Sequence, residues 1–318
     1  MRTPPFDSSR RMAFRWLSFQ SLDARWTPPI DRLHIRLARL EAVSVPLPHT
    51  AMSARQPLPA PPLPGVDDRW AMFLDVDGTL IDFADRPEQV CVDARLRELL
   101  DDLYATLDGA LALVSGRSLD DLDDLFSHPP WAMAGLHGLE LRCADGRYRG
   151  VHIGAARRSL VRDIAGNIAA SLPGVSLEDK GMAMALHCRT APRQFVALRE
   201  RVEAMLPELA GYEMQAGNLV VELKPEGMDK GKVVASLLAG WPFSGRLPVY
   251  VGDDLTDEHG FATANLECGL SVRVGVREPS LAHFSLPEPA AARAWLFRVL
   301  HALKHGALSH AHSSGGSA

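Results

Sequence analysis

Apolar positions along the chain fall into distinct textures, and the clearest begins at Trp70. Three short apolar runs recur from there: Trp70-Ala-Met-Phe-Leu74, Ala110-Leu-Ala-Leu-Val114 and Leu247-Pro-Val-Tyr-Val251. Each is followed at once by small or acidic residues. Runs of this length, apolar on both alternating faces, predict strands buried between two helical layers. Between the first two, Leu96, Leu99, Leu100 and Leu103 recur at helical spacing, and another helix is expected over Lys230 to Ala239. Strand, helix, strand in that order implies right-handed crossovers and a parallel sheet.

Between Val151 and Leu223 the pattern changes. Leu160, Ile164, Ile168 and Leu172 recur every four residues, and Phe195, Leu198, Val202 and Met205 at mixed three- and four-residue steps. Two amphipathic helices are expected, each followed by strand-like segments: Val175 to Arg189, broken at Lys180-Gly181, and Tyr212 to Lys224. Helix, hairpin, helix, hairpin makes a small α+β unit, and its insertion between the second and third runs suggests a cap over the core's active edge. The fold class is α/β: a parallel-sheet, Rossmann-like core (67–150 and 224–304) with an inserted α+β cap (151–223).

Residues 1–66 read as a Pro/Arg-rich, disordered extension ending in Pro57-Leu-Pro-Ala-Pro-Pro-Leu-Pro64, because proline at that density favours an extended, solvated chain. Asp31 to Glu41 could form a short helix, and translation starting at Met12 or Met52 is left open. Residues 305–318 read as a flexible tail, with His301, His305, His310 and His312 mostly frayed and solvated rather than metal ligands.

The net charge of -5 argues against a nucleic-acid surface but not against a phosphorylated substrate, because a bound divalent cation can reverse the local charge. Cys91, Cys143, Cys188 and Cys268 form no C-x-x-C pair, so a zinc site or disulfide scaffold is not expected, and a reducing cytoplasm is the simpler reading. No apolar stretch reaches the roughly 18 residues of a membrane span, and no secretion signal is evident.

Four segments carry candidate chemistry. Asp75-Val-Asp77-Gly-Thr-Leu80 follows the first run, where ligands bind in open parallel sheets, and residues two apart in an extended segment can aim both carboxylates at one place. A non-catalytic acidic turn is the alternative; an EF-hand is not, since neither its glycine nor its glutamate is in position. Ser115-Gly-Arg-Ser118 follows the second run and offers a hydroxyl and backbone amides to phosphate, although a serine there is also an ordinary helix cap. Lys230 stands near a helix start in Lys224-Pro-Glu-Gly-Met-Asp-Lys-Gly-Lys232, where it is either a phosphate partner or a surface charge. That segment is not a P-loop, because Val233 stands where a hydroxyl is required. Gly252-Asp253-Asp254-Leu-Thr-Asp257-Glu258 follows the third run; its oxygens suit magnesium better than zinc, and its alternative is an acidic first helical turn.

Asp pair, Ser, Lys and acidic cluster, in that order and each at a strand end or helix start, resemble the haloacid dehalogenase (HAD) superfamily of phosphotransferases over about Trp70 to Leu300. The resemblance narrows to the trehalose-6-phosphate phosphatases through Gly135-Leu-His-Gly-Leu-Glu140, Glu178-Asp-Lys-Gly-Met-Ala-Met-Ala-Leu-His-Cys-Arg189 and Val221-Glu-Leu-Lys-Pro225. It implies an aspartyl-phosphate mechanism with Asp75 as nucleophile, Asp77 as general acid and base, and Ser115 and Lys230 on the transferring oxygens. It implies magnesium (Mg2+) at Asp75, Asp253 and the Asp77 carbonyl, with Asp254 and Asp257 acting through metal-bound water. It places Glu178, Lys180 and Glu222 on the sugar farther from phosphate, with Gly116, Arg117, His137 and Arg189 as further substrate-side candidates. His137 lies in a glycine-flanked turn, where a structural histidine is an equal reading. The resemblance leaves open a partner, the trehalose-6-phosphate synthase of the same pathway. Rival functions are another sugar phosphatase (sucrose- or mannosyl-type), a phosphosugar mutase, or a silent sugar-phosphate sensor.

Overall fold

The structure, a computed structural model, describes residues 58–65, 67–82 and 92–313, with side chains as far as residue 305. The expected helix at 31–41, the alternative start sites, Cys91, and the side chains of His310 and His312 lie outside those residues.

An eight-stranded sheet runs β12-β11-β10-β1-β2-β3-β4-β5. The three expected runs form β1 (Trp70–Leu74), β2 (Leu111–Val114) and β10 (Leu247–Gly252), with β1 central and parallel to both neighbours. All of β1 and β2 is buried, as strands covered on both faces must be. The sequence reading missed β3 (Ala132–Gly135), β11 (Leu270–Val274) and β12 (Phe284–Leu286), which extend the parallel part. It also missed β4 (Glu140–Arg142) and β5 (Tyr148–Gly150), which add antiparallel pairs at one edge. The first expected helix is α1 (Ala94–Thr106), which begins at Asp93, whose side chain accepts from the Leu96 amide at 2.7 Å; α2 (Leu119–Phe126) follows β2.

A second, antiparallel sheet has the order β6-β7-β9-β8. Its strands are β6 (Ser176–Asp179), β7 (Met184–His187), β8 (Tyr212–Gly217) and β9 (Val220–Pro225), and its helices are α3 (Ala155–Ser171) and α4 (Phe195–Met205). Val161, Leu186, Leu198, Val202, Val221 and Leu223 belong to an apolar cluster of its own, so one face of this sheet lies under its helices. The strand β9 runs through Lys224 and Pro225, two residues past the boundary read from the pattern. The remaining helices, α5 (Lys230–Leu238), α6 (Asp257–Leu266) and α7 (Pro289–Ser313), return to the large sheet.

Two expectations for the chain ends need correction. Part of the extension docks: Pro61 and Pro64 are buried, and Leu58 packs on the core. The three-residue spacing of 58, 61 and 64 is the repeat of a polyproline helix, which presents one face at that period. The Leu58 and Pro59 carbonyls accept from Ser285 (Oγ at 3.3 Å, N at 3.0 Å), and the Pro62 carbonyl accepts from Trp295 Nε1 at 3.1 Å. The prolines forfeit no bond here, because carbonyls alone make these contacts. At the other end α7 continues to Ser313 instead of dissolving at 305, and His301 and His305 face each other with Nε2 atoms 2.9 Å apart. The stretch Ala302-Leu-Lys-His-Gly-Ala-Leu308 contains no proline to stop it.

A chain starting at residue 66 is therefore expected to melt below one starting at residue 58, by at least ~4 °C. Three hydrogen bonds and two buried prolines amount to about 2–4 kcal/mol, and a domain of this size shifts about 2–4 °C per kcal/mol. Equal melting temperatures for the two truncations would remove the strap from the fold.

Candidate active site

Parallel register sets the site. Leu74 pairs with Val251 and with Leu113, so Asp75, Ser115 and Asp253 leave their strands at one edge of the sheet. The Asp75 amide, bonded to the Val251 carbonyl at 2.9 Å, fixes that carboxylate beside β10. Lys230, first residue of α5, reaches the same point because α5 lies close against α6: a Cβ on Gly231 would come within 2.4 Å of the His259 carbonyl oxygen.

Lys230 Nζ donates to Asp75 Oδ1 and to Asp257 Oδ1, both at 2.7 Å, with all three side chains buried. Burial works against the ammonium charge, but Asp257 and Asp75 outweigh it and hold Lys230 protonated. The Asp75 carboxyl is pushed up to about 7 by burial, with Asp257 and Asp77 adding to it against the pull of Lys230. Burial and repulsion from Asp75 and Asp257 push Asp253 up to about 9. One lysine does not neutralise this many acids in a dry site.

Oxygens of Asp75, Asp253 and Asp257 lie within 4.8 Å of one another. An all-carboxylate set in which two acids resist ionisation fits a hard divalent cation. The two Asp257 oxygens already accept from Lys230, from the Tyr250 hydroxyl at 2.8 Å, and from the amides of Asp253 and Asp254 at 2.9 Å. Asp257 thus fixes the loop that carries Asp253. The side chains of Asp254 and Asp77 stand outside this cluster. Asp254 Oδ1 accepts from the Leu255 amide at 2.6 Å, and Asp77 is gripped at both oxygens by Arg117, at 2.7 and 2.6 Å. Arg117, placed on the substrate side by the sequence reading, is here the partner of the expected acid. Ser115 is buried, and its Oγ accepts from the Arg117 amide at 3.1 Å.

The cap residues meet this edge through one transverse row. The register pairs Glu178 with Ala185, Ala185 with Glu222, and Glu222 with Gln215, so the four share the sheet face opposite the helices. Lys180, at the β6–β7 turn, donates to Glu222 Oε1 at 2.6 Å and to the core carbonyl of Gly116 at 3.2 Å. His137 Nε2 lies 2.9 Å from Glu222 Oε2, so a core residue and a cap residue hold one buried carboxylate. Burial alone would raise Glu222, but Lys180 and His137 hold it well below the usual carboxylate range. A hydrogen bond from His187, at 2.7 Å, lowers Glu178 against the effect of burial. Arg189 is exposed and lines the same space.

These groups enclose a cavity of about 500 Å³ with the Asp75 cluster at one end and the cap row at the other. That size suits a small polar molecule. Gln215 and His187 line it too and were not singled out from sequence; alternation along β7 and β8 would have exposed them once the inward face was known. Among the described residues no helix is long and apolar enough to cross a membrane.

Residues 73–290 match a family model described as trehalose-phosphatase. The chain is 45% identical over 230 residues to a probable trehalose-phosphate phosphatase of Sinorhizobium fredii, covering 71% of this chain and 86% of that protein. It is 42% identical over 218 residues to a trehalose-6-phosphate phosphatase of Escherichia coli, covering 67% and 80%. Among solved structures, the C-terminal domain of a C. albicans trehalose-6-phosphate phosphatase superposes with a TM-score of 0.68 at 20% identity, covering 77% of this chain and 99% of that one. A HAD-superfamily phosphatase from Bacteroides thetaiotaomicron superposes with a TM-score of 0.52 at 19% identity, covering 77% and 97%. These two likenesses are of fold.

Proposed function

The chain belongs to the trehalose-phosphatase family, and from that premise we propose how its own residues carry out the reaction. It is an enzyme that hydrolyses trehalose 6-phosphate to trehalose and phosphate. The observation that carries the residue assignment is the single cavity shared by the Asp75 cluster and the Glu178, Lys180 and Glu222 row.

Asp75 attacks phosphorus, forming an acyl phosphate as the bond from phosphorus to the sugar oxygen breaks. Asp77 gives its proton to the departing oxygen. In the second half Asp77 takes a proton from a water that attacks the same phosphorus, releasing phosphate and restoring Asp75. A protonated Asp77 cannot keep both bonds to Arg117, so the guanidinium must let one oxygen go; a phosphate dianion entering beside it is the competing partner. Ser115 and Lys230 hold the transferring oxygens, and Lys230 keeps its contact with Asp257 throughout. Asp75, Asp253 and the Asp77 carbonyl would hold the cation, which we take to be Mg2+ and which would supply charge neutralisation between anionic nucleophile and anionic phosphate. The carboxylates of Glu178 and Glu222 accept from hydroxyls of the sugar farther from phosphate, and Lys180 donates to its oxygens.

The test is phosphate release from trehalose 6-phosphate beside sucrose 6-phosphate and mannose phosphates, with and without Mg2+. Trehalose 6-phosphate is expected to be preferred and the reaction to need the cation. Preference for a sucrose or mannose ester would replace the substrate, and undiminished release after chelation would remove the metal.

Metal binding also has a pH signature. A carboxyl raised to about 7, or to about 9, holds protons in the folded protein that the unfolded chain has already lost. The contribution of these carboxyls to metal-free stability is then fully present below the ordinary carboxyl range and is lost as pH climbs through those values. A cation must displace these protons, so Mg2+ is expected to bind more tightly, and raise the melting temperature more, at pH 8 than at pH 6. An equal shift at both would contradict the assignment of Asp75 and Asp253.

The three described cysteines, Cys143, Cys188 and Cys268, are free, which supports a reducing, cytoplasmic setting. The synthase that makes this substrate is the proposed partner, to be sought by co-purification.

A further inference from the structure

We infer that His137 is a positioning residue for substrate choice: its imidazole, carried by the core, sets the cap carboxylate of Glu222 over the cavity. The inference rests on the trehalose 6-phosphate reading above.

The first observation is the backbone. His137 lies in the 3₁₀ turn Leu136–Gly138 after β3, and both Leu136 (φ 50°) and His137 (φ 56°) are left-handed. Residues with a Cβ rarely accept that region, and two in succession are a cost the neighbouring structure must impose. It does so through the phosphate-binding segment: the Leu136 amide donates to the Arg117 carbonyl at 2.8 Å, and the His137 amide to the Ser115 carbonyl at 2.9 Å. The imidazole is thereby tied to the loop that meets phosphate.

The second is the space around the ring. A Cβ at Gly116 would lie 2.8 Å from both Cε1 and Nε2 of His137. Any other residue there would drive the ring away from Glu222, so the glycine of the Ser115-Gly-Arg motif also admits this imidazole.

The third is hydrogen bonding. An ionised Glu222 can only accept, so Nε2 of His137 carries the proton, and the Gln215 amide, 3.1 Å from the same nitrogen, then turns its oxygen rather than its NH2 toward it. Nδ1 is then an acceptor, buried and with no protein partner. Burial lowers the imidazole from its ordinary pKa despite the attraction of Glu222, and the ring is a neutral donor. A strained turn and an unpaired Nδ1, for a ring whose Nε2 meets Glu222 at 2.9 Å and Gln215 at 3.1 Å, mark a place where geometry is required more than stability. With His137 on one Glu222 oxygen and Lys180 on the other, the remaining lone pairs have fixed directions for sugar hydroxyls.

The test is steady-state kinetics of His137→Asn and His137→Gln on trehalose 6-phosphate and on p-nitrophenyl phosphate, which has no second sugar. Asparagine tolerates the left-handed turn but is too short to reach Glu222, whereas a glutamine amide can take the place of Nε2–H. His137→Asn is expected to raise KM for trehalose 6-phosphate at least tenfold with kcat within threefold, and to lower the ratio of the two kcat/KM values at least fivefold. His137→Gln should recover most of that ratio. In a Glu222→Gln background, His137→Asn should raise KM by less than a further twofold. Parallel loss on both substrates, full additivity with Glu222→Gln, or failure of both variants to fold would make His137 a structural residue and overturn the inference. Wild-type protein inert on trehalose 6-phosphate would instead overturn the substrate reading.

Discussion

Asp75→Asn is expected to lower phosphate release from trehalose 6-phosphate by at least ~10³-fold while leaving the fold intact. An amide has no charge with which to attack phosphorus. The variant should still fold, since asparagine has the same shape and Lys230 keeps Asp257 at 2.7 Å. Removing one of several acids that repel in a buried site, where this carboxyl is pushed up to about 7, should hold or raise the metal-free melting temperature at pH 8. Acid quenching during turnover should trap phosphate on wild-type protein and none on the variant. Turnover within tenfold of wild type would end the covalent route, and a lowered melting temperature would give Asp75 a structural role as well.

Glu222→Gln is expected to lower kcat/KM for trehalose 6-phosphate about 100-fold, mostly through KM. Glu222 is buried, and its two oxygens accept from Lys180 and His137. An amide presents its NH2 to one of these donors, leaving Lys180 or His137 facing hydrogen against hydrogen. Lys180 would be the costlier orphan, because a largely covered cation deprived of its partner loses more than a neutral donor does. A hundredfold loss corresponds to about 2.7 kcal/mol, the range of one charge-assisted bond to the sugar together with disturbed positioning. The preference for trehalose 6-phosphate over p-nitrophenyl phosphate should fall at least thirtyfold. A fall confined to kcat and shared by both substrates would move Glu222 from sugar recognition to the chemical step.

Legibility differed between the two halves of the site for a physical reason. The core half depends on where strands end. In a parallel sheet every strand delivers its next residue to the same edge, so Asp75, Ser115 and Asp253 converge whatever their separation in sequence. The short runs were visible because two buried faces demand continuous apolar residues, as in Trp70–Leu74. Ala132–Gly135 escaped notice because alanine and glycine give little apolar contrast. Cap residues could be matched to a family, but periodicity did not place their cross-strand partners. Alternation identifies two faces of a strand without saying which residue of the next strand lies opposite, and Gln215 joined the site through its register with Glu222 and its 3.1 Å contact with His137 Nε2.

Local pattern alone determined the α/β class, the two amphipathic helices and hairpins of the inserted unit, and the acidic and basic groups gathered at strand ends. Periodicity and steric turn preferences act over a few neighbouring residues and are written directly in the chain. Tertiary structure decided the rest: that Arg117 holds Asp77, that Asp257 and not Asp254 joins Asp75 and Asp253, that prolines at 61 and 64 dock, and that His137 reaches Glu222. Each of these pairs groups that are distant in sequence or equivalent in local pattern. Their choice of partner is made by strand register and by which side chains packing has already dried, and neither quantity exists before the elements assemble.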